Sequence, residues 1–183
     1  MKGVVFTEFL EMAEDRFSLG VVDSVLRATA PASGGVYTSV GTYPVEELVG
    51  LLVQLSEQTR VPVPVLLKEF GGHLLRRFVQ WYPEFFADAR SSFDVLQNVE
   101  GHIHVEVRKL YPDAELPTFE CNNEGDSTLL VTYRSPRRLA DLAEGLMQAC
   151  AEHFGEQVSI TREELGPNPG EHVRFRLERL GRT

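Results

Sequence analysis

The sequence predicts an α+β protein: a helical N-terminal subdomain packed on a C-terminal subdomain of a four-stranded antiparallel sheet with helices. Three observations carry that expectation. Up to Leu110, apolar residues recur at three- and four-residue steps. After Pro112 the chain changes to short runs rich in Val, Leu and Thr, broken by Asn, Gly and Pro. The 183 residues are enough for one domain with a core of its own.

Val5, Phe6, Phe9, Leu10, Ala13 and Phe17 mark an amphipathic helix over 4–17. A shorter helix, Val21 to Ala28, gives way to Ala30-Pro31-Ala32-Ser33-Gly34-Gly35, with loop expected to about Tyr43. Thr42-Tyr43-Pro44-Val45-Glu46-Glu47 offers a capping hydroxyl, an early proline and acidic first-turn residues ahead of Leu48, Leu51, Leu52 and Leu55, so a third helix starts there. Pro62 and Pro64 introduce a fourth, running through Leu66, Leu67, Phe70, Leu74, Leu75 and Phe78 to Trp81, with Pro83 beyond its end. Gly71-Gly72 inside it costs about 1 kcal/mol per glycine against alanine. Tight helix packing is the favoured reason, ahead of something flat lying against the helix. Leu96, Val99, Ile103, Val107 and Leu110 then form one stripe of a helix that Tyr111-Pro112 closes.

Beyond this seam near residue 112, Thr118–Cys121 and Thr128–Tyr133 flank Asn122-Asn123-Glu124-Gly125-Asp126 as a hairpin. A helix from about Arg138 to Phe154 follows. Val158 to Glu163 and Val173 to Leu177 straddle Gly166-Pro167-Asn168-Pro169-Gly170 as a second hairpin. The chain reads as one domain over 1–183, and a cofactor commonly sits in a seam of this kind.

Composition excludes several classes. With 18 basic and 27 acidic residues the net charge is −9, which repels phosphate backbones, and no basic stripe offsets it, so nucleic acid is not expected as a partner. Cys121 and Cys150 have no CxxC spacing, which suits a reducing compartment and argues against zinc or iron–sulfur ligation. The first residues lack the apolar core and cleavage site of a signal peptide, and no apolar run reaches the ~18 residues of a membrane span. A cytoplasmic protein is expected. There is no internal repeat, no phosphate-cradling glycine signature and no Ser/His/Asp motif.

Two constellations carry candidate chemistry. His102 and His104 lie in the segment 100–112, and on a continuous helix they flank the apolar stripe on opposite sides, each about 100° from its centre, so periodicity does not choose between them. As isolated histidines both suit surface positions, as do His73, His153 and His172. Tyr133, Ser135 and Arg137 alternate along an extended segment and share a face, where a phenol, a hydroxyl and a planar guanidinium supply donors for a carboxylate. Without further context that segment is a strand end, with Pro136 closing the ladder and Arg137 solvated.

Taken together, these segments resemble the H-NOX (haem-nitric oxide/oxygen binding) family over nearly the whole chain. The resemblance is to its stand-alone bacterial type, related to the haem domain of soluble guanylate cyclase. It rests on Met1-Lys2-Gly3-Val4-Val5-Phe6, Tyr82-Pro83-Glu84-Phe85-Phe86, Ile103-His104 through Tyr111-Pro112, Leu116-Pro117-Thr118-Phe119, Tyr133-x-Ser135-x-Arg137 and Ala143-Glu144-Gly145-Leu146. The family's proximal histidine stands seven residues before its Tyr-Pro and 29 before the signature tyrosine, and both spacings select His104.

The resemblance implies haem b between a distal helical subdomain of about 1–65 and a proximal subdomain of about 66–183. It implies His104 as the axial ligand of a five-coordinate ferrous iron, and Tyr133, Ser135 and Arg137 on the propionates. Pro117 is implied against the macrocycle, with a gas-side wall of Val5, Phe9, Leu74, Phe78, Leu142 and Leu146. Members that hold oxygen stably place a tyrosine where this chain has Leu142, so NO and CO binding without stable O2 binding is expected. Weakening of the iron–His104 bond by NO would be the switch, with Pro117 and Gly71-Gly72 as candidates for transmitting it. The implied protein is a sensor and not an enzyme, signalling to a histidine kinase or a cyclic-di-GMP enzyme as a separate chain. Two alternatives stand beside it: a peroxidase-like haem enzyme, which needs a distal His or Arg, and a haem-free interaction module of the same fold.

Overall fold

Residues 1–182 are described by a computed structural model. The helices of the first half form where the apolar periodicity places them. Helix α1 (Gly3–Arg16) buries Phe6, Phe9, Met12 and Ala13. Helix α2 (Leu19–Thr29) starts at Ser18, whose hydroxyl accepts the Val21 N–H at 3.4 Å, and buries Val22 and Val25. Helix α3 (Val45–Thr59) begins after Pro44 with no side-chain cap. Thr42, expected to cap it, instead donates to the Asp113 carboxylate at 3.0 Å, and the helix start rests on Glu46 and Glu47 against its positive dipole end. Helix α4 (Val63–Trp81) carries Pro64 in its first turn, where a missing N–H costs nothing.

Phe6, Phe9, Leu48, Leu51, Leu52, Leu55, Leu66 and Phe70 close this core, each no more than 1% exposed. Burial of each contributes on the order of 1.5–3 kcal/mol. The loop 30–44 is held onto it by Tyr37, whose ring stacks on Phe6 at 4.5 Å and whose hydroxyl donates to Glu47 at 2.8 Å.

The single helix expected along Leu96–Leu110 does not form. After the short α5 (Glu84–Ala87), the chain instead makes α6 (Ser92–Gln97), a π-helical turn (Val99–Ile103) and α7 (His104–Leu110). The extra residue in the π turn rotates everything after it, so Leu96 is 8% exposed while Leu110, on the same nominal stripe, is 61% exposed.

Strands β1 (Thr118–Asn123), β2 (Thr128–Arg134), β3 (Glu156–Glu164) and β4 (His172–Arg182) form one antiparallel sheet in the order β1-β2-β4-β3. Strands β3 and β4 are longer than expected, because their polar outer residues continue the ladder past the apolar segments. The inner face alternates, with Leu129, Val131 and Tyr133 of β2 paired to Leu177, Phe175 and Val173 of β4. Helix α8 (Ala140–His153) covers it with Ala140, Ala143, Met147 and Ala151.

The two halves are joined by α4 crossing α8. A Cβ on Gly71 would lie 2.5 Å from Leu142 O and 2.6 Å from Leu146 N, and one on Gly145 would overlap Lys68 O. Only hydrogen at both positions allows the backbones to approach this closely. The packing reading of Gly71-Gly72 therefore holds for Gly71, whereas Gly72 faces only the Arg76 side chain at 3.6 Å and Ala149 Cβ at 4.0 Å. The 65/66 division drawn from the sequence falls in the first turns of α4, which also feeds Leu75 into a small cluster with Val95, Ala149 and Cys150. Among the described residues no helix is long and apolar enough to cross a membrane.

Candidate functional site

The π turn decides which histidine is buried. In it the His104 N–H reaches back to Val99 O, while Asn98 O accepts from both His102 N and Ile103 N, at 3.0 and 3.1 Å. The resulting rotation leaves His104 8% exposed and turns His102 outward, where it meets the edge of the Phe85 ring at 5.6 Å. His104 Nδ1 lies 2.8 Å from Glu100 Oε1, and the same oxygen accepts the Phe119 N–H at 3.1 Å. No partner engages Nε2 among the described residues. Burial pushes the His104 imidazole below its ordinary range; Glu100 opposes that shift and Arg108 adds to it. The ring is therefore neutral at neutral pH, the form that can ligate a metal.

Phe119 links this histidine to the second constellation, its ring centroid 5.8 Å from His104 and 5.5 Å from Tyr133. Pro117, half-buried, precedes it at the mouth of β1. Tyr133 and Ser135 are buried at 2% and 5% exposure while Arg134 and Pro136 face out, so the expected alternation is present. Burial raises the Tyr133 phenol, with hydrogen bonds to Ser135 and the Leu139 backbone opposing the shift, and it stays protonated as a donor. Arg137 is not solvated as the plain strand-end reading has it. Its guanidinium is half-buried and grips Glu115, through Nη1 to the carbonyl oxygen and through Nη2 to Oε2 at 2.8 Å. Glu115 is 87% exposed, so a carboxylate from another molecule meets little resistance in taking its place.

All six expected wall residues fall in one apolar cluster: Phe9 and Leu74 buried within it, Val5, Phe78, Leu142 and Leu146 packed against it. Their sequence neighbours form a polar clamp between α1 and α4. His73 Nε2 lies 2.9 Å from Glu8 Oε2 and Arg77 Nε 2.8 Å from the same oxygen. His73 is thus 9% exposed and paired, which corrects the expectation that it is solvated; His153 is exposed, and His172 is half-buried and accepts from Arg134 Nε at 3.0 Å. An open groove of about 600 Å3 runs between α1, α4 and α8, lined by Arg16, Lys68, Arg76, Glu144 and Glu152, whose mixed charge sets it apart from the apolar wall.

Glu100, Phe119 and Glu115 were not singled out by sequence. A glutamate four residues before a histidine is visible there, but on a regular helix it reads as a solvated pair. Among the described residues no cluster of His, Cys, Asp and Glu is arranged to hold a metal ion on protein ligands alone. One protein ligand supplied to a metal inside a macrocycle is a different requirement, and the residues present fit it: a buried neutral imidazole with a free Nε2, an apolar cluster, and a carboxylate-gripping guanidinium.

Those are the parts of a haem-binding domain with a single histidine ligand. The chain belongs to the family described as Haem-NO-binding, whose model matches residues 2–162. It is similar to the Fe(II) unliganded H-NOX protein from K. algicida, with a TM-score of 0.93 and 39% identity over 99% of this chain and 97% of that one. The Shewanella woodyi H-NOX in the Fe(II)CO state is 41% identical at a TM-score of 0.84, covering 100% of this chain and 96% of that one. The S. oneidensis H-NOX in the Fe(II)NO state is 25% identical at a TM-score of 0.89, covering 99% and 100%. The curated proteins compared contain no match.

Proposed function

We propose that this chain is a gas sensor that holds haem b through His104, takes NO and CO, does not retain O2, and passes the signal to a separate protein. The observation that carries the reading is the burial of His104 with Nδ1 committed to Glu100 and Nε2 left free. Bound haem would supply a ferrous iron able to take a diatomic gas.

This chain's own residues define the rest. His104 would hold the iron through its Nε2 lone pair. Tyr133, Ser135 and Arg137 offer a hydroxyl pair and a guanidinium to the propionates, which need paired donors once out of bulk water. Pro117 would pack against the macrocycle. Val5, Phe9, Leu74, Phe78, Leu142 and Leu146 exclude water and provide no donor, and dioxygen depends on a donor where NO does not. The same six give no acid–base group, so a peroxidase-like enzyme finds no support in them. The H-NOX relatives in Fe(II)NO and Fe(II)CO states support the ligand class. The proposed partner is a histidine kinase or a cyclic-di-GMP enzyme encoded apart from this chain, and two free cysteines suit a cytoplasmic setting.

The test is absorbance of haem-loaded, reduced protein under argon, CO, NO and air. A Soret band that shifts with CO and with NO, and no lasting spectral change of the ferrous protein into an oxygen-bound form in air, is the expected result. A colourless protein overturns the cofactor, and an air-stable oxygen-bound spectrum overturns the selectivity.

A further inference from the structure

Glu100 stands where the helix carrying His104 meets the sheet. Its Oε1 faces His104 Nδ1 at 2.8 Å and accepts the Phe119 N–H of β1 at 3.1 Å, while Oε2 lies 3.9 Å from Arg108 Nη2. Glu100 lies in the π turn four residues before His104, so the two side chains meet on one face of the helix. Oε1 already accepts the Phe119 N–H, and with it accepting from Nδ1 as well the imidazole carries its proton on Nδ1 and its lone pair on Nε2. The Phe119 amide holds the carboxylate at a second point and stops it swinging into solvent.

We infer that Glu100 is the positioning residue for the proximal ligand: it fixes the His104 tautomer and ring orientation, polarises the Nδ1–H bond, and so strengthens the bond Nε2 makes to iron. The inference rests on the proposed ligation by His104. Carboxylates hydrogen-bonded to the distant nitrogen of a ligating histidine raise its basicity, and their loss typically costs roughly 10- to 100-fold in affinity for the metal. Among the described residues the carboxylate's contacts are His104, Phe119 and Arg108, none of them a wall residue or a propionate donor, so it acts on the ligand by hydrogen bond and charge.

The experiment compares wild type with Glu100→Gln, which keeps the shape and a neutral acceptor, and with Glu100→Ala. Resonance Raman of the ferrous proteins reads the iron–histidine stretching band, haem transfer to apomyoglobin reads retention, and 15N NMR of the haem-free proteins reads the His104 tautomer. The expected result is a band at lower wavenumber in Glu100→Gln and lower again in Glu100→Ala, with haem lost roughly 10- to 100-fold faster from the latter. The haem-free wild type shows Nδ1 protonated, and Glu100→Ala shows a mixture of tautomers. An unchanged band in variants that still carry haem on His104 overturns the inference and leaves the haem reading standing. A wild type that takes up no haem overturns that reading instead, and a wild type whose Nδ1 is unprotonated in the haem-free state overturns the inference by itself.

Discussion

Replacing Gly145 with alanine probes the crossing of α4 and α8, which carries Leu74, Phe78, Leu142 and Leu146 of the proposed gas-side wall. Two effects of opposite sign act there. Alanine is better than glycine in a helix interior by about 1 kcal/mol, so propensity alone makes the variant more stable. The new Cβ, however, overlaps Lys68 O and lies 2.7 Å from Lys68 C and Cα, where real Cβ atoms do not come within 3.0 Å of a neighbour. These are backbone atoms and cannot rotate away, so the helices must separate. Overpacking of this kind costs typically about 1–3 kcal/mol, and the upper half of that range applies when both sides are backbone. The net expectation is a loss of about 1–2 kcal/mol, a fall in Tm of roughly 2–8 °C for a chain of this size. Thermal unfolding followed by circular dichroism measures it, with Gly72→Ala as the control. A Cβ at Gly72 meets nothing nearer than 3.6 Å, so propensity acts unopposed and Tm rises by roughly 2–4 °C. A Gly145→Ala protein as stable as wild type refutes the close-approach argument.

Arg137→Met removes the guanidinium that now holds Glu115; with about 1.5–3 kcal/mol per charged hydrogen bond lost, haem transfer to apomyoglobin should run roughly 10- to 100-fold faster, while the fold stands because Glu115 is exposed. Unchanged transfer removes Arg137 from the propionate set. Glu47 gives a pH dependence: burial alone would raise its pKa, but two hydrogen bonds from Ser33, at 2.6 and 3.2 Å, and one from Tyr37 outweigh this and hold it below the usual carboxylate range. A depressed folded pKa stabilises above the unfolded value and is lost as pH falls through the folded one. Glu47→Gln should therefore be about 1–2 kcal/mol less stable at neutral pH, with the gap closing as the pH drops below about 4. Tm curves that stay parallel into acid contradict it.

The parts of the fold with a strong local period were legible in the sequence. The apolar steps through Phe6, Phe9 and Ala13 and through Leu66, Phe70 and Leu74 locate α1 and α4, and the Tyr133, Ser135 alternation is buried as its period requires, whereas Arg137 lies half-buried in the turn that follows the strand. What failed was continuity. A π turn adds one residue without changing the apolar pattern on either side, so Leu96, Val99, Ile103, Val107 and Leu110 read as one stripe and His102 could not be separated from His104 on period alone. Family resemblance is what selects His104, and the rotation through the π turn leaves His104 buried and His102 exposed. The burial of His73 depends on Glu8, 65 residues away, a pairing that no local pattern signals. Glu100 was hidden for a related reason: its second partner, the Phe119 N–H, belongs to a strand across the seam.

The most direct test of the central claim is to compare His104→Ala with His102→Ala, each purified with haem under reducing conditions and examined by absorbance and resonance Raman in the ferrous, CO and NO forms. His102→Ala should keep the wild-type spectra and the iron–histidine band, since that side chain faces solvent. His104→Ala should lose the band and most of its haem. Wild-type spectra in His104→Ala, or loss of the band in His102→Ala, would contradict it.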